Sequence, residues 1–350
     1  MKARSEGGFA SNPEGLVKLG CALMESGRGG QAVSLIAGLI AANPDDRLLH
    51  EAAGIVLTHR VPDFHRPMLA DTARNEAYER AIVRAAPGRT VLDIGAGSGL
   101  LAMMAARAGA AHVYACEGNE ALAATARDIV TANGFGDRIT VLAKNSSALD
   151  PVADLGGGVD LVISEIFSHH LIGEGALPSL RDAMARLASP GAAIIPARGS
   201  AIVALAERRE AGPNAETVSG FDLSLFRRHV ATTVNVPVGD KRLALRSEPA
   251  VLFSFDFTKA EDVGDAPARV RAICSGGSAN GIAQWIQLEL DAEDIYDNRP
   301  GPGASSHWAT VFHPSAAEIA EDNAVDIVGW HDNYRLRVWS EGVPGASPSR

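Results

Sequence analysis

A chain of 350 residues with 32 Lys+Arg against 42 Asp+Glu, a formal net charge of −10, has room for about two domains with cores of their own and lacks the positive surplus that general binding to a phosphate backbone requires. At 46% hydrophobic and 21% charged residues it reads as an ordinary globular protein, and its longest apolar runs, Val33 to Ala42 and Leu100 to Ala106, fall short of the roughly 20 residues that cross a bilayer. Three scattered cysteines, Cys21, Cys116 and Cys274, make neither a disulfide framework nor a zinc pattern, and the first residues lack the apolar stretch of a secretory signal, so the expectation is a cytoplasmic protein with no metal, nucleic-acid or membrane partner.

Residues 12 to 58 read as paired short helices, with apolar positions at helical spacing, a glycine turn at Gly27 to Gly30 and Asn-Pro ahead of the next segment. The spacing is similar to one tetratricopeptide unit, and a plain helical hairpin reads equally well. In either case the apolar face must pack on the rest of the chain. From Pro62 to Arg198 short β-like runs alternate with helical ones. Strands are predicted at Thr90 to Ile94, His112 to Cys116, Ile139 to Leu142, Val159 to Ser164 and Ala192 to Ile195, and helices at Leu100 to Ala108, Glu120 to Asn133 and Leu177 to Leu187. Such alternation predicts an α/β, Rossmann-like domain with a largely parallel sheet. Beyond Pro196 strands follow without matching helices, at Ala201 to Ala206, Val251 to Phe257, Ala268 to Ile273, Ala283 to Leu290, Ala309 to His313, Ala324 to Trp330 and Tyr334 to Trp339. They predict a mostly antiparallel β-barrel domain. The expected division is a helical extension at 1–61, the α/β domain at 62–198, the β-barrel at 199–342 and a flexible tail at 343–350.

TVLDIGAGSGLLAMMAARAGAAHVYACEGNEA is a strand, a glycine turn, a helix and a second strand that ends in an acid. Gly95, Gly97 and Gly99 permit a sharp turn and close approach of a ligand to the backbone, with a helix N-terminus behind them. Leu100 stands where the dinucleotide fingerprint wants Gly or Ala, which weakens a nicotinamide reading. Glu117 is placed to accept hydrogen bonds from both hydroxyls of a ribose, and Asp93 to brace the loop or meet an amino group. Together these residues point to S-adenosylmethionine, with S-adenosylhomocysteine as the by-product. Farther on, Glu165 closes a predicted strand and Glu174 follows nine residues later. Two carboxylates facing one pocket suit a planar guanidinium; Glu174 at the start of the helix near Leu177 equally suits the helix dipole.

VLDIGAGSGLL with VYACE resembles motif I and its following acid in the protein arginine methyltransferases, a family of class I S-adenosylmethionine-dependent enzymes. SEIFSHHLIGEG is similar to that family's double-glutamate loop, nearest the branch that includes the type III enzyme. The segment DFHRPMLADTARNEAYERAI resembles the stretch ahead of motif I, and ASSHWATVFHP the threonine-histidine-tryptophan loop, with Ser306 in place of the threonine. The resemblance implies that Glu165 and Glu174 clamp the target guanidinium and that Arg74 holds the methionine carboxylate of the cofactor. It further implies that His65 and Met68 touch the cofactor, that His307 pairs with Asp71, and that Trp308 walls the arginine pocket. Each has a plainer reading: a solvated helix face for Arg74, loop positioning for His307, core packing for Trp308. His169 and His170 read as loop polar residues.

Two features depart from the family pattern. GIVLTHRVPDF carries no tyrosine where the family places aromatic lid residues, so either His59 and Phe64 substitute or the lid differs. KNSSALD offers Ser146 and Ser147 where an acid usually meets the adenine, and Ser147 is the expected adenine contact. GFDLSLFRRHVATTV resembles the start of the family's dimerisation arm, placing one near 208–245 and implying a homodimer. The expected reaction is methylation of an arginine guanidino nitrogen in a protein or peptide. A methyltransferase for another side chain or a small molecule, and a weakly active binding module of the same fold, stay open.

Overall fold

Asn12 begins the described chain by capping α1 (Pro13–Glu25): its side chain accepts the Gly15 N–H at 2.9 Å, and Pro13 supplies a preset first helical residue. The computed structural model describes residues 12–59, 65–209, 217–223, 225, 233–259 and 266–342. Phe64, the tail at 343–350 and much of the arm expected near 208–245 lie outside the described residues. After α2 (Gly29–Ala42), Asn43 and Pro44 stop the helix, and Asp46 accepts the Leu49 N–H at 3.1 Å to start α3 (Arg47–Thr58). Three helices therefore stand where a pair was expected, because Asp46 provides a fresh cap just past the proline.

The chain's contacts group it into two compact units, Met1–Leu69 with Tyr78–Glu165 and Asp182–Ile195, and Ala70–Ala77 with Ile166–Arg181 and Pro196–Arg350. The helical extension thus belongs to the same unit as the parallel sheet. That unit holds α4 (His65–Leu69), most of α5 (Thr72–Ala85), β1 (Thr90–Ile94), α6 (Leu100–Arg107), β2 (His112–Cys116), α7 (Glu120–Ala132), β3 (Ile139–Leu142), β4 (Val159–Ser164) and β5 (Ala188–Ile195). The five strands pair in parallel in the order β3-β2-β1-β4-β5. The central strands β1 and β4 are buried on both faces, which gives them mostly apolar text, whereas the edge strands β3 and β5 are partly exposed. The strand order reverses between β1 and β4, where Ile94 lies opposite Ser164, and ligands of open α/β sheets bind at that switch point.

Leu16, Ile36, Leu49 and Val56 are buried in one cluster with Ala121 of α7, so the extension packs its apolar face on the sheet-bearing body. A β-carbon on Gly29 would come within 2.9 Å of the Ala121 backbone nitrogen. Gly29→Val is therefore expected to pry α2 from α7 at a cost of about 1–3 kcal/mol. Limited proteolysis should then release the extension sooner than in the parent protein, and an unchanged cleavage rate would contradict this packing.

The second unit is antiparallel. β6 (Arg198–Arg208), β9 (Val234–Val236), β10 (Leu243–Leu245), β11 (Ala250–Asp256), β13 (Ala279–Glu289), β14 (Ile295–Asp297) and β15 (Thr310–Ile319) form a seven-stranded sheet. β12 (Ala266–Ile273), β16 (Ala324–His331) and β17 (Leu336–Glu341) form another, of three strands; β7 (Thr217–Val218) and β8 (Phe221–Asp222) make a small hairpin. Trp285 and Phe312 fill its core with Ile202 and Val236. The curled, barrel-like unit and the Rossmann-like unit are those expected from the sequence. Strands β7 to β10 and β14 were not predicted, since two or three residues are too few to show alternation. The predicted helix at 177–187 divides into α8 (Ala176–Asp182) and one wider π turn (Ala183–Leu187).

Candidate active site

Sharp reversal after β1 is what the three glycines provide. Gly95, Gly97 and Gly99 have φ of +72°, +53° and +80°, in the left-handed region that residues with a β-carbon avoid. The N–H groups of Gly95 and Ala96 both donate to the Cys116 carbonyl at 3.0 Å, tying the turn to the end of β2. Gly97 donates its N–H to Glu117 Oε2 at 3.0 Å and Asn119 to Oε1 at 2.7 Å, so the carboxylate is held by the backbone while each oxygen keeps a lone pair. Asp93 is 1% exposed and accepts the Ala102 N–H at 3.0 Å. Of the two roles weighed for it, this bond makes it a brace for the first turn of α6.

His65, on α4 with the half-buried Met68, lies over the turn: a β-carbon on Gly97 would stand 3.9 Å from its ring. Burial pushes the His65 pKa down against the opposing pull of Glu117 and Glu165, which favours the neutral ring. Glu165 follows β4 directly and is half-buried. Two residues not singled out in the sequence lock this region. Tyr78 donates its hydroxyl to the Ser164 carbonyl at 3.0 Å, and Ser164 donates its own to the Ile94 carbonyl at 3.1 Å. Ser147 is exposed on a short 3₁₀ turn whose carbonyls, those of Ser146 and Ser147, accept from Arg186. Burial raises the Cys116 thiol to about 12, with Asp93 adding to the effect, so it stays protonated.

In the second unit Asp71 gathers four donors. Its Oδ2 accepts from Tyr296 Oη at 2.9 Å, the His307 N–H at 3.0 Å and His307 Nδ1 at 2.9 Å, and its Oδ1 accepts the Arg74 N–H at 3.1 Å. Burial alone would raise its pKa; the bonds from His307, Arg74 and Tyr296 outweigh burial and hold it down to about 2. This carboxylate is therefore charged at neutral pH and fixes one His307 tautomer rather than accepting a proton. A depressed carboxylate stabilises the fold above its unfolded value of 3.8 and loses that contribution as pH falls through about 2. Asp71→Asn is expected to cost about 2 kcal/mol near pH 6. Denaturant unfolding at several pH values should show the difference from the parent shrinking between pH 4 and 2; a pH-independent difference would contradict the assignment.

Arg74 is buried rather than solvated on its helix face, with Nη1 2.6 Å from Asn75 Oδ1. Trp308 is 2% exposed, stands edge-on to Tyr296 and donates its indole N–H to the Phe167 carbonyl at 2.8 Å. His169, expected to be a loop polar residue, accepts the Ala309 N–H on Nδ1 at 3.0 Å. These two bonds pin the loop that leads to Glu174. Within it Ser168 Oγ accepts the N–H groups of His170 and Gly173, and buried Leu171 adopts φ +74°. Glu174 emerges exposed just ahead of α8.

A turn of left-handed glycines beside a backbone-held carboxylate suits a nucleoside cofactor, because nothing but hydrogen occupies the Gly97 position where a ligand must approach. Residues 76–197 match the family described as ribosomal protein L11 methyltransferase (PrmA). Fold and site together define an S-adenosylmethionine-dependent methyltransferase. An arginine N(omega)-methyltransferase of Streptomyces achromogenes subsp. streptozoticus is 38% identical in an alignment of 333 positions that covers 92% of this chain and 91% of that relative. Protein arginine N-methyltransferase 7 of Oryza sativa subsp. japonica is 32% identical over 79% of this chain but only 41% of its own length. Among solved structures, the Trypanosoma brucei PRMT1 enzyme-prozyme heterotetrameric complex with AdoHcy gives a TM-score of 0.65 at 21% identity, covering 80% of this chain and 96% of that one. Protein arginine methyltransferase 10 of Arabidopsis thaliana also gives 0.65, at 19% identity over 81% and 94%. The chain belongs to the arginine methyltransferase family.

Proposed function

We propose that this enzyme methylates a guanidino nitrogen of arginine. The observation that carries the reading is the 38% identity to an arginine N(omega)-methyltransferase across nine-tenths of both chains. The position of Glu165, directly after the strand that pairs with β1 at the switch point, supports it. S-adenosylmethionine supplies an electrophilic methyl on a sulfonium, and no metal enters the scheme. Glu117 accepts the ribose hydroxyls, His65 and Met68 cover the cofactor near the glycine turn, Ser147 meets the adenine and Arg74 takes the methionine carboxylate. Glu165 and Glu174 accept hydrogen bonds from the substrate guanidinium, draw its positive charge toward the nitrogens they hold and leave the remaining nitrogen more nucleophilic. Trp308 excludes water from the arginine side chain. The Asp71–His307 pair acts by positioning, since Asp71 holds its charge down to about pH 2.

A homodimer formed through the 208–245 region belongs to the same proposal. Phe221 and Leu225, 71% and 73% exposed, leave apolar surface for a second copy to cover. Offering the enzyme arginine, citrulline and lysine side chains with labelled cofactor tests the substrate. Label should enter the guanidine and bypass the neutral ureide and the amine; transfer to lysine in preference to arginine would overturn the reading.

A further inference from the structure

The β unit contains a cavity of 870 Å³, within the size range of ligand sites, whose lining includes His170, Gly173, His313, Tyr334, Arg335 and Arg337. Among the described residues its lining carries no carboxylate. Arg335, just ahead of β17, and Arg337, within it, both line the cavity, and among the described residues neither guanidinium takes part in a hydrogen bond or ion pair. The acid whose charge they feel, Asp332, already accepts the N–H groups of Tyr334 and Arg335 at 2.7 and 2.6 Å and lies outside the lining. His313 is 6% exposed with Nε2 2.9 Å from Gln284 Oε1, while Gln284 Nε2 and His170 Nδ1 are buried without a partner among the described residues. Gln284 lies behind His313 and outside the lining, so the lining itself offers two exposed guanidinium groups and a His170 ring nitrogen with unused hydrogen-bonding capacity, a set that suits a carboxylate.

The position of the cavity says which carboxylate. Gly173 in its lining is the immediate neighbour of Glu174, one Cα step of about 3.8 Å away. On the other side, a β-carbon on Gly175 would meet the Tyr334 ring at 4.0 Å. The cavity therefore flanks Glu174 from both directions along the chain. A free arginine carries its carboxylate only a short aliphatic chain from its guanidinium, whereas an arginine within a peptide has an amide there. We propose that Arg335 and Arg337 bind the α-carboxylate of the substrate, so that the substrate class is a free guanidino amino acid. The proposal rests on the arginine reading above and narrows it.

The test measures kcat/KM of the full chain with S-adenosylmethionine for L-arginine, for agmatine, which keeps the guanidine and lacks the carboxylate, and for a peptide with an internal arginine. L-arginine is expected to exceed both by about tenfold or more, the value of one charge-assisted bond. Arg335→Ala and Arg337→Ala should each raise KM for L-arginine and shrink its advantage over agmatine toward unity, with Arg→Lys recovering part of it. Methylation of the peptide but not of L-arginine, or an L-arginine preference that survives both alanine variants, would overturn the carboxylate site and leave arginine methylation standing. Absence of transfer to all three would remove both readings.

Discussion

Glutamine at position 165 or 174 is expected to lower kcat for the guanidine substrate by about 10²–10³-fold, the scale of losing one preorganised charge at the reacting group, while cofactor affinity changes only a few-fold. The substitution keeps shape and one acceptor oxygen, so what it removes is the negative charge that localises the guanidinium cation. A neutral amide leaves that charge spread over three nitrogens, and the attacking lone pair stays delocalised. The proposed clamp has the two carboxylates act on one cation, so the double variant should fall little below the worse single one. Steady-state kinetics at saturating cofactor, with affinity from calorimetric titration, separates chemistry from binding. A parental kcat in either variant would remove that residue from the mechanism.

Glu117→Ala should act on the other substrate, weakening S-adenosylmethionine binding by about 10²-fold or more. The proposed cofactor site would lose two charge-assisted bonds to ribose hydroxyls, each contributing about 1.5–3 kcal/mol. The same carboxylate accepts the Gly97 and Asn119 N–H groups, so its removal also loosens the turn that faces the cofactor. KM for the cofactor should rise while kcat at saturation stays within a few-fold of the parent. A kcat loss without a change in affinity would mean that Glu117 takes part in the chemistry instead.

Much of this was legible because it is local. The glycine turn, the acid after β2 and the five parallel strands are each written within a few consecutive residues, and burial on both faces makes the central strands β1 and β4 read as mostly apolar runs. Tyr296 was not legible: its bond to Asp71 joins positions 225 apart, and nothing in IYD marks it. Tyr78 and Ser164 were missed for the same reason, each acting through a backbone carbonyl of another element. The partner of His169 was not legible either, since the Ala309 N–H is brought near only by the folded loop. The third N-terminal helix is a different case. Asp46 was readable as a cap, but the Asn-Pro ahead of it reads first as an end.

The central claim concerns the atom that receives the methyl group. Carbon-13 NMR of the product formed from arginine and cofactor labelled at its methyl settles it, because a methyl on a terminal guanidino nitrogen has a shift distinct from methyl on an α-amine, a carboxylate or an imidazole. The account predicts one labelled methyl resonance, that of an ω-N-methylguanidine, disappearing in the Glu165→Gln and Glu174→Gln enzymes. A label on any other atom, or an ω-N-methyl signal undiminished in both variants, would contradict it.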